Sequence, residues 1–195
     1  MSEKERKYRV SYTGQDWHGP GCYGCGTEND HGLHADFRFY EPAGEVRFQY
    51  TPRKFQEGAP GYMHGGIIAS LLDEAQGVLC FHLGHLVMTD QLNVSYEHAI
   101  SLENEISIRC WVTSVRKRRI YTNAAISDAS GAILANSSGR WYILHERIAR
   151  RLFQHRYSEK NYEELREMLD GNRKRAKEIR ARLREEKEES GDLLV

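Results

Sequence analysis

The spacing of hydrophobic and polar positions changes rhythm along this chain. Between residues 35 and 50 apolar side chains alternate. Phe37 and Phe39 share one face of the first run, and Val46, Phe48 and Tyr50 share one face of the second, with Pro42-Ala43-Gly44 between them. A period of two belongs to a strand whose two faces meet different surroundings, so strands are predicted over 35–41 and 45–50. After the loop Gly58-Ala59-Pro60-Gly61 the period lengthens. Ile67, Ile68, Leu71, Leu72, Ala75, Val78 and Leu79 lay a broad apolar stripe along one long helix, whose polar side carries Ser70, Asp73, Glu74 and Gln76. Gly84 is its predicted stop. Alternation then returns in four strands over 87–96, 105–115, 120–127 and 132–144, with no further helix among them.

One helix cannot cover both faces of six strands. The predicted class is therefore α+β, a strongly curved antiparallel sheet wrapped around one long central helix. This domain is expected over 35–148, preceded by an irregular glycine-containing segment over 1–34 and followed by a charged helical extension over 149–195. In that extension Tyr162, Leu165, Leu169, Asn172, Ala176, Ile179 and Leu183 step by threes and fours. Asn172 and Ala176 weaken the seam, which predicts a solvated helix, or one docked on a neighbouring subunit, in preference to an independent coiled coil.

Composition narrows the class of function. The 195 residues carry zero formal net charge, so nucleic acid and anionic membrane surfaces are not expected partners. The opening MSEKERKYRV has no apolar signal region, and Asp73, Glu74 and Gln76 interrupt the longest apolar stretch; a cytoplasmic protein without a membrane span is expected. Of the four cysteines, Cys22 and Cys25 form one Cys-x-x-Cys, with no second pair at zinc-ribbon spacing. His18, His31 and His34 are the nearby imidazoles. The pair reads as a compact turn with reduced thiols, and neither metal nor redox cofactor is expected.

The chemistry concentrates in Gly61-Tyr62-Met63-His64-Gly65-Gly66 and the helix after it. Two glycines at a helix start leave backbone N–H groups bare at the positive end of the helix dipole. Such donors stabilise the oxyanion that forms when an acyl carbonyl is attacked. A carboxylate nearby, Asp73, can activate water or attack directly. Eight helical residues span about 12 Å, too far for Gly65 and Asp73 of one chain to meet at one carbonyl. Two chains with antiparallel helices about a two-fold axis remove the difficulty, which predicts a homodimer. Without such a partner, the glycines simply permit close packing and Asp73 is a surface or buried polar residue.

The stretch from Phe55 to Ala75, with the motif His64-Gly65-Gly66 and Asp73-Glu74, resembles the signature of hot-dog acyl-CoA thioesterases of the phenylacetate-pathway type. Cys22-Tyr23-Gly24-Cys25-Gly26 followed by Asn29 and Gly32-Leu33 is similar to the N-terminal segment of many of them. In element order the likeness covers roughly residues 20–146. The resemblance implies a homodimer with a continuous sheet, often paired into a homotetramer. It implies Asp73 as catalytic carboxylate, Gly65 as the N–H polarising the carbonyl across the interface, and His64 as a loop-ordering or substrate-contacting residue. Thr89 matches a position where some relatives hold water with Ser or Thr. Gly66 is the companion glycine. Two departures stand out. Some relatives carry Asn where this chain has Gly58, which leaves Gln56 as a candidate substitute; and Glu74 is a rival carboxylate to Asp73. Arg116, Lys117 and Arg118, at a hairpin end, are candidates for the phosphates of coenzyme A, or else a solvated basic turn.

Hydrolysis of an acyl-CoA thioester is thus the leading expectation. A hot-dog hydratase is disfavoured because the histidine precedes the helix. A non-catalytic acyl-CoA or lipid-binding module stands as the alternative from another class.

Overall fold

The structure, a computed structural model, describes residues 8–10, 19–153 and 159–190. The rest of the expected N-terminal segment, including His18, lies outside the described residues. Among the described residues seven strands form one antiparallel sheet: β1 (Tyr8–Val10), β2 (Arg38–Tyr40), β3 (Glu45–Tyr50), β4 (Val87–Tyr96), β5 (Ile106–Arg116), β6 (Arg119–Ser127) and β7 (Ile133–Ile143). Six are those the alternation predicts; β1, three residues long, pairs with β2. In space the order is β1-β2-β3-β5-β6-β7-β4, so β4 follows the helix in sequence yet lies at the edge of the sheet beside β7. This is the α+β hot-dog architecture: a curved sheet around one long helix, α1 (Gly65–His82).

Each period in the sequence becomes a buried face. Phe37, Phe39, Val46, Phe48, Ile106, Ile108, Cys110, Ile120, Ala124 and Ile126 point from the sheet into the core. From α1, Leu71, Leu72, Ala75, Val78 and Leu79 meet them, each no more than 1% exposed. Every Leu or Val so enclosed contributes about 1.5–3 kcal/mol relative to exposure. Gln76 does not stay on the polar side of the helix. It is fully buried, its Nε2 donating to Ser137 Oγ (2.9 Å) and its Oε1 accepting from Thr122 Oγ1 (2.6 Å). Thr122 in turn accepts from Trp141 Nε1 at 2.7 Å. Four side chains thereby satisfy one another under the helix.

Helix α1 ends where expected. Gly84 adopts φ +81, and a Cβ there would strike the backbone of the C-terminal helix, so glycine serves both the turn and the close approach. Two helices follow the sheet, α2 (Glu146–Phe153) and α3 (Glu159–Ser190). The sequence pattern does not foretell α2. The apolar seam of α3 packs against its own chain: Leu165, Leu169, Ala176 and Ile179 are buried against α1, α2 and the sheet, and Tyr162 is buried beside Glu146 and Arg150 of α2. Asn172, which weakens a coiled-coil seam, here donates to Phe81 O at 3.1 Å and caps a terminal carbonyl of α1. No helix among the described residues is long and apolar enough to cross a membrane.

Candidate active site

The loop before α1 is held from two sides. Met63 N–H donates to Ile100 O (2.8 Å) and His64 N–H to Gln56 O (2.8 Å). Within it Gly61 takes φ +83, and its N–H donates to Glu57 Oε1. His64 is the N-cap of α1: its backbone is extended, and its Nδ1 accepts from Gly66 N–H at 2.9 Å. An imidazole thus takes the place usually filled by Ser, Asp or Asn. The two glycines are thereby made unequal. Gly66 N–H is spent on the cap, whereas Gly65 N–H, first of the helix, makes no hydrogen bond among the described residues. Gly65 O accepts from the Tyr96 hydroxyl at 3.0 Å.

A cleft of about 630 Å³ opens at this helix start, lined by Gly58, Tyr62, His64, Gly65, Tyr96 and His98, with others. Its other walls include Met63, Ile68 and Ile100, so apolar surface and Gly65 line the same space.

Asp73 is half-buried two turns along α1 and is absent from the cleft lining. Thr89 Oγ1 donates to Asp73 Oδ1 at 2.9 Å from the start of β4. Tyr96, beside Gly65, closes the same strand. Thr89 and Tyr96 are therefore roughly 20 Å apart along β4. The structure brings together His64, Gly65 and Gly66 at one end of β4, and Asp73 with Thr89 at the other.

The remaining candidates divide. Gln56 is 1% exposed and does not face the cleft: its Oε1 accepts from Arg53 N–H (2.9 Å) and its Nε2 donates to the Tyr50 hydroxyl. It supports the His64 loop from beneath, and offers no side-chain atom to a ligand. Nor does Gly58 leave room for an asparagine, because a Cβ there would stand 2.9 Å from His64 Cα. The tight loop explains this departure from the family pattern. Glu74 turns away from Asp73, as successive helical residues must, and lies against Gly24 of the N-terminal segment. Arg116, Lys117 and Arg118 are exposed on the β5–β6 hairpin, where Lys117 takes φ +54. Arg118 donates to Ile143 O (3.2 Å) and lies over the Tyr142 ring. Tyr142 pairs with Met88, so this hairpin overhangs the Thr89 end of the sheet, away from the Gly65 cleft of the same chain.

Sequence reasoning misses the roles of Arg53 and Tyr96. Arg53 Nη2 donates to Leu33 O at 2.9 Å and to Gly32 O, tying the N-terminal segment to the loop below His64. Neither residue belongs to a recognisable motif; only the three-dimensional pairing of distant segments reveals them.

A bare N–H at a helix start can stabilise an oxyanion, and a carboxylate can activate water or act as a nucleophile. Residues 60–135 match the thioesterase superfamily model. The acyl-coenzyme A thioesterase THEM4 of Xenopus laevis is 30% identical over 94 residues, 48% of this chain and 42% of the relative. The chain spans less than half the length of the curated relatives it matches. A thioesterase superfamily protein of known crystal structure superposes with a TM-score of 0.60 at 28% identity, covering 64% of this chain and 61% of its own. The PaaI protein of the E. coli phenylacetic acid degradation operon shares the fold (TM-score 0.54, 17% identity, 61% of this chain and 88% of its own).

Proposed function

We propose that this protein hydrolyses an acyl-CoA thioester to the free acid and coenzyme A in a site built by two protomers. The observation that carries this is the unequal pair of glycines: His64 takes the Gly66 donor, and Gly65, whose N–H makes no hydrogen bond among the described residues, lines a partly apolar cleft where an oxyanion would be stabilised. Asp73, held by Thr89, supplies the carboxylate. It activates a water molecule or attacks the carbonyl carbon itself. In either course the carbonyl oxygen gains negative charge beside Gly65 N–H and the C–S bond breaks, releasing coenzyme A as a thiolate. When water attacks, the thiolate takes up the proton that Asp73 removed; when Asp73 attacks, the thiolate is protonated from solvent and a water molecule then cleaves the acyl–Asp73 anhydride to free the acid. Thr89 orients the carboxylate and the incoming water; His64 sets the loop.

The separation within one chain favours a homodimer. β4 is an edge strand paired only with β7 among the described residues, and it exposes Met88 (56%) and Tyr96 (53%). Antiparallel pairing of β4 with its copy, about a two-fold axis near Leu92 and Asn93, sets Thr89 of one chain opposite Tyr96 of the other. The cleft of one protomer then adjoins the Asp73 of its partner. The same pairing carries Arg116, Lys117 and Arg118 towards the partner's cleft, where they suit the phosphates of coenzyme A. Pairing of dimers into a homotetramer and a cytoplasmic location complete the proposal; buried thiols such as Cys80 and Cys110, whose pKa burial pushes up, suit a reducing compartment.

The test is thiol release from short, medium, long and aryl acyl-CoAs by the whole chain, with thermal stability read in parallel. Selective turnover is the expected result. Thermal stabilisation by acyl-CoA without release of thiol would overturn hydrolysis and leave a binding module.

A further inference from the structure

The Cys-x-x-Cys of the N-terminal segment has no part in this chemistry, yet the fold places it with care. Its two Sγ atoms and a carboxylate oxygen of Glu74 all lie within 4.8 Å of one another. Cys25 is buried, and Cys22 and Glu74 are half-buried. The turn is wound tightly around this point. Gly26 N–H donates to Cys22 O (2.9 Å), and a Cβ at Gly26 would collide with the backbone of Pro20 and Cys22. A Cβ at Gly24 would collide with the Glu74 carboxyl group. Both glycines are thus required for the turn to press against that carboxylate.

Two thiols and a carboxylate gathered at a partly buried point oppose one another's ionisation. Each negative charge is unfavourable beside the others and away from water. A dication reverses that balance, because it favours the deprotonated form of every group it touches. The donor set selects the ion. Two sulfurs and one oxygen suit zinc, whereas calcium and magnesium take oxygen donors. With zinc–sulfur bonds of about 2.3 Å in a tetrahedron, the sulfurs stand about 3.8 Å apart. Donor atoms that all lie within 4.8 Å of one another are close enough to reach such a geometry by small side-chain rotations.

We propose that Cys22, Cys25 and Glu74 bind one zinc ion, which clamps the N-terminal segment to α1 directly behind Asp73. Binding sends the two thiol protons to solvent and leaves a complex of net charge −1, with the fourth position taken by water or a further chain ligand. The clamp is a structural one. From the turn, Leu33 N–H donates to Tyr23 O (2.7 Å) and Asn29 Nδ2 to Gly21 O (3.2 Å), while Arg53 joins Leu33 to the loop under His64. The ion therefore braces both the helix carrying Asp73 and the loop that caps it. Sequence spacing hides this site, since its third ligand lies 49 positions from Cys25, on another element.

The experiment reads metal, not turnover, so its failure and a failure of the thioesterase proposal are told apart. The whole chain is equilibrated with zinc, desalted, and analysed for metal by elemental mass spectrometry, alongside Cys25→Ser and Glu74→Gln. About one zinc per protomer is expected, falling at least tenfold in Cys25→Ser. Cobalt exchanged into the protein should show thiolate-to-cobalt charge-transfer absorption. Zinc should slow alkylation of Cys22 and Cys25 in the unaltered protein, a readout independent of whether any variant folds. Absence of retained zinc, with alkylation equally fast in its presence, would overturn the proposal. A mass two hydrogens lighter, marking a Cys22–Cys25 disulfide in protein that takes up no zinc, would overturn it in favour of a redox pair.

Discussion

At the scale of single residues, the proposed chemistry turns on one backbone donor and one carboxylate. His64 accepts from Gly66 N–H, Gly65 N–H makes no hydrogen bond among the described residues, and Thr89 donates to Asp73. Asp73→Asn keeps the size of the side chain and removes its basicity and nucleophilicity. Thiol release should fall at least about a hundredfold while the circular dichroism spectrum is unchanged. Gly65 allows a sharper test. As the first residue of α1, after an extended His64, it accepts proline without loss of a helical hydrogen bond. Gly65→Pro deletes one N–H and should lower kcat by about 10²–10³, with far less effect on melting temperature. The helix start at His64-Gly65-Gly66 was legible in the sequence, because two glycines before an apolar stripe mark it. The division of labour between Gly65 and Gly66 was not, because it depends on the rotamer of His64. Gln56 misled for a similar reason: an amide next to a motif resembles a ligand until its partners, Arg53 and Tyr50, are seen.

At the scale of elements, period alone carried the reading far. Strands 45–50 and 87–96, and the helix stripe through Leu72 and Leu79, follow from alternation and from three- and four-residue steps. Exceptions arise where tertiary contacts override local polarity. Gln76 reads as a polar-face residue, but it is enclosed by Thr122 and Ser137, which lie 46 and 61 positions away. Gln76→Leu would leave those hydroxyls without their partner inside the core, at a cost of about 1–3 kcal/mol, visible as a lowered denaturation midpoint at unchanged slope. The α3 seam was legible as apolar spacing, but its partner was not. Asn172 looks like a flaw in a coiled coil and is a cap on α1; no one-dimensional pattern distinguishes the two.

At the scale of the whole molecule, charge and assembly govern behaviour. Burial, with Arg173 and Arg180 nearby, pushes the His85 pKa down to about 4. The unfolded chain takes up that proton near pH 6.5 and the native one only near 4, so acid favours unfolding across this window. Glu45 acts in the same direction. Burial raises its pKa, but hydrogen bonds from Arg109 and Arg47 outweigh this and hold it below its ordinary value. The melting temperature should therefore decline from about pH 6.5 towards 4, and less steeply in His85→Gln.

Assembly bears on the central claim, that Asp73 of one protomer works with Gly65 of the other. The direct measurement is thiol release by a mixture of two inactive variants, Asp73→Asn and Gly65→Pro, unfolded and refolded together in equal amounts. A mixed dimer would contain one site with both residues intact and one with neither. Random pairing should then restore about a quarter of wild-type activity. Mixed dimers that form and yet release no thiol, while the wild type does, would contradict the two-protomer site.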